Sequence, residues 1–232
     1  MIANWREFWD RPHRIYVNAR HRQVHYERVA ADILQELPND RATLLDYGCG
    51  EALQAAKVAA RCGKLYLCES ASSLRADLKA RYAEVPSIAV LAPEDLDALA
   101  DGSLDLVVAN SVLQYLTREE AAALAERLRP KFAPGGRLFL ADIVPPDSSI
   151  FADVLSLLST AIRNGFFLAA IAGLLRTFVS DYRRLRSQIG LTTYREEEMR
   201  ALLESAGYSG ARRERNFGFN PRRMTFIAQA TR

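Results

Sequence analysis

Cysteine and histidine are scarce: three of each occur in 232 residues. Three scattered thiols, Cys49, Cys62 and Cys68, cannot build a disulfide scaffold and fit a reducing compartment. The histidines, His13, His21 and His25, all lie in the first 25 positions. No acidic or thiol cluster beside them supplies further ligands, so no metal site is expected. Long apolar runs are missing as well. The most apolar region, 150–180, is broken by Asp153, Arg163, Asn164 and Arg176, and its longest clean run, Gly165–Leu175, falls short of the about 20 residues of a spanning helix. The opening stretch MIANWREFWDRPHR has no apolar core of the secretory kind, which makes the cytoplasm the expected location. The net charge is only +3, too small a bias to mark a nucleic-acid binder. Arg212, Arg213, Arg215, Arg222 and Arg223 cluster near the end, but Glu204 and Glu214 lie among them, so a solvated strand edge is expected there.

Apolar residues are plentiful: 49% of the chain is hydrophobic against 25% charged. At this length one enlarged domain is expected. Residues 1–40 read as a helical lid, with apolar positions at helical spacing from Arg22 to Leu37 and Pro38 as the stop. From 41 to 146 strand-like runs alternate with helical ones: Thr43–Tyr47, Lys64–Cys68, Ile88–Leu91, Leu104–Ala109 and Arg137–Ile143. Continuous apolar strands separated by helices predict a parallel sheet covered on both faces, a Rossmann-like doubly wound α/β fold. Residues 147–207 read as a helical insert, long and apolar over Phe151–Leu185, then a shorter helix from Arg195 to Ala206. Two closing strands, Ala211–Phe217 and Met224–Ala230, predict an antiparallel hairpin at one edge within 208–232, giving seven strands, mostly parallel.

The sharpest local signal is Leu44-Leu45-Asp46-Tyr47-Gly48-Cys49-Gly50-Glu51-Ala52, where the first strand gives way to a helix. In an open parallel sheet, ligands bind in the crevice beyond the carboxyl ends of the strands. Glycines at 48 and 50 let a ligand approach the main chain. A dinucleotide site would want a third glycine, but Leu53 stands there, and the carboxylate of Asp46 would repel a pyrophosphate. Glu69 ends the second strand, 19 positions after Gly50, where an acid can accept hydrogen bonds from both hydroxyls of an unphosphorylated ribose. The lesser alternative is that it caps the helix that follows.

These segments in this order resemble the class I S-adenosylmethionine-dependent methyltransferases, the ubiquinone/menaquinone type of small-molecule enzyme being the nearest in pattern. Ala92–Ala109, Asn110–Leu116 and the Leu128–Leu140 turn into strand five extend the resemblance over roughly residues 40–146. The resemblance implies that Asp46 and the main chain of Gly48, Cys49 and Gly50 hold the methionine moiety of S-adenosyl-L-methionine. It also implies Glu69 at the ribose, Glu94 or Asp95 at the adenine amino group, and Asn110 on the methionine side, with Gln114 or Tyr115 near the pocket.

Methyl transfer needs a donor and a nucleophile held in line and shielded from water, and a base only when the acceptor must lose a proton. His21 and His25 stand at i and i+4 on one helix face, and with Tyr16 they are the candidates for a catalytic role. In this family the helix before strand one commonly folds over the cofactor, and the insert after strand five often caps the acceptor. In the insert, Phe151, Val154, Leu155, Leu158, Ile162 and Phe166 are spaced for one apolar face, and Phe167, Ile171, Leu174, Leu175 and Phe178 for another, with Arg183, Arg184 and Arg186 following. A packed cap, a greasy acceptor tunnel or peripheral membrane contact, and a homodimer interface are the readings of those faces. The expected activity is methylation of a small, hydrophobic metabolite at oxygen or carbon. The alternative is a non-catalytic module of the same fold that binds the cofactor or a partner.

Overall fold

The computed structural model describes residues 5–10, 16–148, 150–177 and 190–231. Seven strands make one sheet: β1 (Thr43–Tyr47), β2 (Lys64–Cys68), β3 (Ile88–Leu91), β4 (Leu104–Asn110), β5 (Phe132–Ile143), β6 (Tyr208–Arg212) and β7 (Met224–Ala230). Their order is β3-β2-β1-β4-β5-β7-β6, with the first five parallel and β7 antiparallel to both neighbours. Adjacent residues serve opposite faces: Leu44 and Val108 pack with one apolar layer, Leu45 and Val107 with the other. That alternation lets strands without a polar face be buried on both sides.

The first layer is closed by α2 (Ala19–Glu36), α3 (Ala55–Ala59) and α4 (Ser72–Arg81), through Val29, Ile33, Val58 and Leu78. The second is closed by α5 (Arg118–Leu128) and α8 (Glu196–Ser205), through Leu124, Leu128, Met199 and Leu203. Local chemistry sets several helix starts. Asn18 accepts the His21 N–H at 2.8 Å to open α2, and Thr117 with Glu120 forms a capping box at α5. The N-cap position of α4 is Ala71, which has nothing to offer. Asp10 supplies the cap instead: its carboxylate accepts the Ser73 N–H at 2.9 Å and the Ser72 hydroxyl at 3.1 Å. This contact ties the short α1 (Trp5–Trp9) to the sheet domain.

The insert, expected as a long apolar helical stretch, is divided in two. It forms α6 (Ile150–Arg163) and α7 (Phe167–Thr177), broken at Asn164-Gly165. Gly165 takes φ 76°, and the Phe166 N–H reaches the Ala161 carbonyl at 2.9 Å, the closure that ends helices on a left-handed residue. Phe166 is thereby turned inward against Val24, Ala161 and Ala170. The face predicted to run through Leu155 and Ile162 is split, because both of those side chains are 65% exposed while Val154 and Leu157 face a cavity. Phe178, Arg183, Arg184 and Arg186, like His13, lie outside the described residues, as does the side chain of Phe151.

The closing hairpin is also shifted. The first of its strands spans Tyr208–Arg212 rather than Ala211–Phe217. Residues 216–218 are pulled away from strand pairing by polar bonds. The Asn216 side chain accepts the Asp142 N–H, the Phe217 N–H donates to the Thr225 hydroxyl, and the Gly218 N–H donates to Asp32.

Candidate functional site: a cavity beyond the carboxyl ends of the strands

A large cavity of about 1040 Å³ opens where the sheet, α2 and the insert meet. Asp46, Gly48, Cys49, Gly50, Glu69, Asn110, Tyr16, His21 and His25 all line it. Asp46, Glu69 and Asn110, far apart in sequence, are brought to one place because every parallel strand ends on the same side of the sheet, and α2 lays its residues over them. Glu94 and Asp95 are not brought there. Pro93 supplies the wall at that point, and the Asp95 carboxylate accepts the Ala92 N–H at 2.7 Å within its own turn.

The glycine turn is tightly enclosed. Gly48 and Gly50 have φ of 71° and 59°, a region costly for any residue with a Cβ. A Cβ on Gly48 would meet Val112 Cγ2 at 2.5 Å, and one on Gly50 would meet the Tyr26 hydroxyl at 2.8 Å. Glu69 braces this turn. One carboxylate oxygen accepts the Gly50 N–H at 2.9 Å, and the other accepts the Ala71 N–H at 2.9 Å and the Ser70 hydroxyl at 3.2 Å. Both readings of Glu69 are thus compatible, since a carboxylate has about four acceptor positions and the protein uses three.

Asp46 sits half-buried beside Glu69. Desolvation first, and the neighbouring carboxylate second, push its pKa up to about 7. Asn110, at the end of β4, holds a buried side-chain oxygen with no hydrogen-bond partner. A buried acceptor left unpaired costs on the order of 1–3 kcal/mol, so such an atom next to a cavity points to a donor on a ligand. Asp46 and Asn110 therefore offer acceptors to a cationic or N–H group, with Glu69 next to them for hydroxyls. This set fits an amino-acid-bearing nucleoside.

The helical lid contributes aromatic rings. The two candidate histidines differ in freedom. His21 Nδ1 accepts the Val17 N–H at 3.3 Å, which leaves its proton on Nε2, and its ring stacks on Phe166 at 5.2 Å. His25 lies between Tyr16 and Tyr26, at 5.5 and 5.1 Å between ring centres, and burial, with His21 adding to it, pushes its pKa down to about 4. It is neutral at ordinary pH. Tyr26 seats its hydroxyl on the glycine turn, accepting the Glu51 N–H at 2.8 Å, while Arg22 pairs with the Glu51 carboxylate at 3.2 Å. Among the described residues no three His, Cys, Asp or Glu side chains converge to hold an ion.

Sequence reasoning missed the polar group at the ends of β4 and β5. Asp142 lines the cavity and is held by Ser111, Asn216 and, at 3.8 Å, Arg223, which also donates to Gln114 at 2.9 Å. The near-terminal arginines read as a solvated edge, yet the Arg223 side chain is only 11% exposed.

The parallel core with its antiparallel closing pair is the class I methyltransferase fold. Residues 45–140 match the family model described as "Methyltransferase domain", and along this core the chain resembles the S-adenosylmethionine-dependent enzymes of that class. No curated protein matches the chain. Solved structures do. One is a chain of the complex between the Haloferax volcanii Trm112 methyltransferase activator and the putative methyltransferase, at 13% identity and a TM-score of 0.61 over 100% of both chains. Another is magnesium protoporphyrin IX methyltransferase from Synechocystis PCC 6803 with bound S-adenosylhomocysteine, at 19% identity and a TM-score of 0.57, covering 97% of this chain and 93% of that one. A third, described as a possible exported protein from Bordetella parapertussis, has 18% identity and a TM-score of 0.59, over 89% and 67%. No helix of the described residues is long and apolar enough to cross a membrane.

Proposed function

We propose that the protein binds S-adenosyl-L-methionine and transfers its methyl group to a small, largely apolar acceptor, at oxygen or carbon. The observation that carries this reading is the unpaired, buried Asn110 oxygen placed beside a glycine turn and the Glu69 carboxylate in one cavity. Structural neighbours crystallised with S-adenosylmethionine or S-adenosylhomocysteine support the choice of cofactor.

When bound, the cofactor supplies an electrophilic methyl on a sulfonium. The chain's own part is placement and exclusion of water. Asp46 and Asn110 accept hydrogen bonds from the ammonium end, and Glu69 accepts those of the ribose hydroxyls. Glycines 48 and 50 let the chain lie close to the ligand. Val154, Leu157, Leu174 and Phe217 wall the acceptor side and keep it dry. For a hydroxyl acceptor His25, which lines the cavity, is the side chain placed to take the proton, although burial weakens it as a base; His21 has its Nδ1 occupied and serves packing instead. A cytoplasmic location goes with this reading. The exposed Leu155, Ile162 and Leu168 support contact of the insert with another apolar surface.

The test is calorimetry with S-adenosylmethionine and S-adenosylhomocysteine, followed by a methyl-transfer assay against apolar phenols and quinols. Micromolar binding of both with transfer to at least one acceptor class supports the enzyme. Binding without transfer to any acceptor favours the non-catalytic module. Absence of binding rejects the site.

A further inference from the structure

Asp46, the glycine turn and Glu69 sit at the ends of β1 and β2. The sheet order continues from β1 through β4 and β5 to β7, whose first residue, Met224, is in register with Ile143. Arg223 stands immediately before that strand and lines the same cavity. Three strand spacings, about 14 Å, separate β7 from β1. The insert reaches this far end, since the Ser156 hydroxyl of α6 donates to the Phe219 carbonyl at 3.4 Å. Arg223 is the only lysine or arginine among the described residues that line the cavity; the carboxylates there are Asp46, Glu69, Glu120 and Asp142.

The guanidinium is held in place from several sides. Its Nη1 donates to Gln114 Oε1 at 2.9 Å, and Gln114 Nε2 donates to the Ser111 carbonyl at 3.2 Å, which turns the amide oxygen toward the arginine. Asp142 Oδ2 lies 3.8 Å off, beyond hydrogen-bond length, and accepts the Ser111 hydroxyl at 2.7 Å, while its Oδ1 accepts the Asn216 amide at 3.2 Å. The two charges therefore do not close into a bidentate pair. The Arg223 N–H donates to the Asn220 carbonyl at 3.2 Å, which fixes the main chain as well. Five N–H donors in a rigid plane let one guanidinium hold protein neighbours and a ligand at once, and that plane matches a carboxylate. In a cavity closed to water the attraction is far stronger than at a surface. We propose that Arg223, positioned by Gln114, binds a carboxylate of the acceptor, so that the substrate class is an apolar acid with its hydrocarbon or ring body under the insert. The distance from β1 makes Arg223 an anchor for the acceptor and not a grip on the cofactor. The proposal rests on the methyl-transfer reading above.

Calorimetry on the protein saturated with S-adenosylhomocysteine tests this, with octanoate, cinnamate and naphthoate as probes and the amide of each as its neutral match. In the parent at least one acid should bind roughly tenfold or more tighter than its amide, the gain of a hydrogen bond between charged groups. Arg223→Gln should bring acid and amide within about twofold of each other and leave S-adenosylhomocysteine affinity unchanged. Arg223→Lys keeps the charge beside Asp142 but loses the planar fork, so it should show an intermediate preference with the amide bound as in the parent. This second variant decides the matter if the glutamine variant fails to fold. A parent that prefers no acid over its amide, or a preference that survives Arg223→Gln or is undiminished in Arg223→Lys, overturns the proposal and leaves the cofactor reading standing. A tenfold loss of S-adenosylhomocysteine affinity in Arg223→Gln also overturns it, by giving the arginine to the cofactor. A parent that does not bind S-adenosylhomocysteine overturns the cofactor reading, and this inference with it.

Discussion

The Ser111 hydroxyl donates to Asp142 Oδ2 at 2.7 Å, and both residues hold left-handed backbone, φ 59° and 58°, at the ends of neighbouring strands. Each such conformation costs a non-glycine residue about 1–2 kcal/mol. Strain of this kind persists where the surroundings over-determine it, and here it aims two polar side chains at the cavity. Asp142→Ala should remove the acceptor for Ser111 and for one Asn216 N–H together. The expected loss is about 2–3 kcal/mol in urea unfolding, with Ser111→Ala costing about 1 kcal/mol. A combined variant should lose less than the sum, since the two share one bond.

The glycine turn tolerates no side chain. Gly50→Ala must displace the Tyr26 hydroxyl and hold a left-handed alanine, a cost of about 1–2 kcal/mol in stability. Cofactor binding should fall further than stability does, because the turn itself lies along the cavity where the ligand would sit. Thermal melting beside calorimetry separates the two effects.

Affinity for the cofactor should depend on pH through Asp46. In the free protein its carboxyl ionises near pH 7, and a ligand ammonium favours the ionised form, so binding should strengthen as pH rises toward 7 and level off above. The same shift affects folding. The folded state keeps the proton where the unfolded chain, with a pKa near 3.8, has lost it. This contribution to stability is present below pH 3.8 and is lost as pH climbs to 7. Asp46→Asn should flatten the pH dependence of binding and raise stability at pH 8 relative to the parent.

His25 acts in the opposite sense. Its folded pKa, about 4, lies below the ordinary 6.5, so its contribution is present above pH 6.5 and is lost as pH falls through 4. His25→Phe should remove that part of the acid sensitivity seen in melting curves. If His25 is the proton acceptor, the variant should also lose at least about a hundredfold in kcat with a hydroxyl acceptor while S-adenosylhomocysteine binds as before.

Glu69 is asked to brace a turn and to bind a ligand. Glu69→Gln should keep part of the bracing and lose the charge, weakening S-adenosylhomocysteine by about 1–3 kcal/mol with a small change in melting. Glu69→Ala should lose both, with a clear drop in melting temperature as the Gly50 and Ala71 N–H groups lose their acceptor.

The parallel core was legible because its signals are local: apolar runs of strand length, a glycine pair after Asp46, an acid after Cys68. That Asp46, Gly48, Gly50, Glu69 and Asn110 line one cavity followed from where strands end. What escaped prediction depends on contacts distant in sequence. The break at Asn164-Gly165 was masked by apolar periodicity on both sides, although the glycine itself marked it. The displacement of residues 216–218 from the hairpin rests on Asn216 meeting Asp142, 74 positions away, which no periodicity encodes. Glu94 and Asp95 show the same limit: both stand after the third strand, but the turn that Asp95 closes leaves Pro93 at the wall.

One helix, α2, reaches the glycine turn through Tyr26 and Arg22, and the insert through His21 stacked on Phe166 and Val24 packed beside it. It is a shared rod between the glycine turn and the insert. Whatever molecule seats itself under the insert thus presses on the same strut that grips the nucleoside. Any coupling this helix carries between two ligands must be reciprocal, each changing the other's grip by an identical factor.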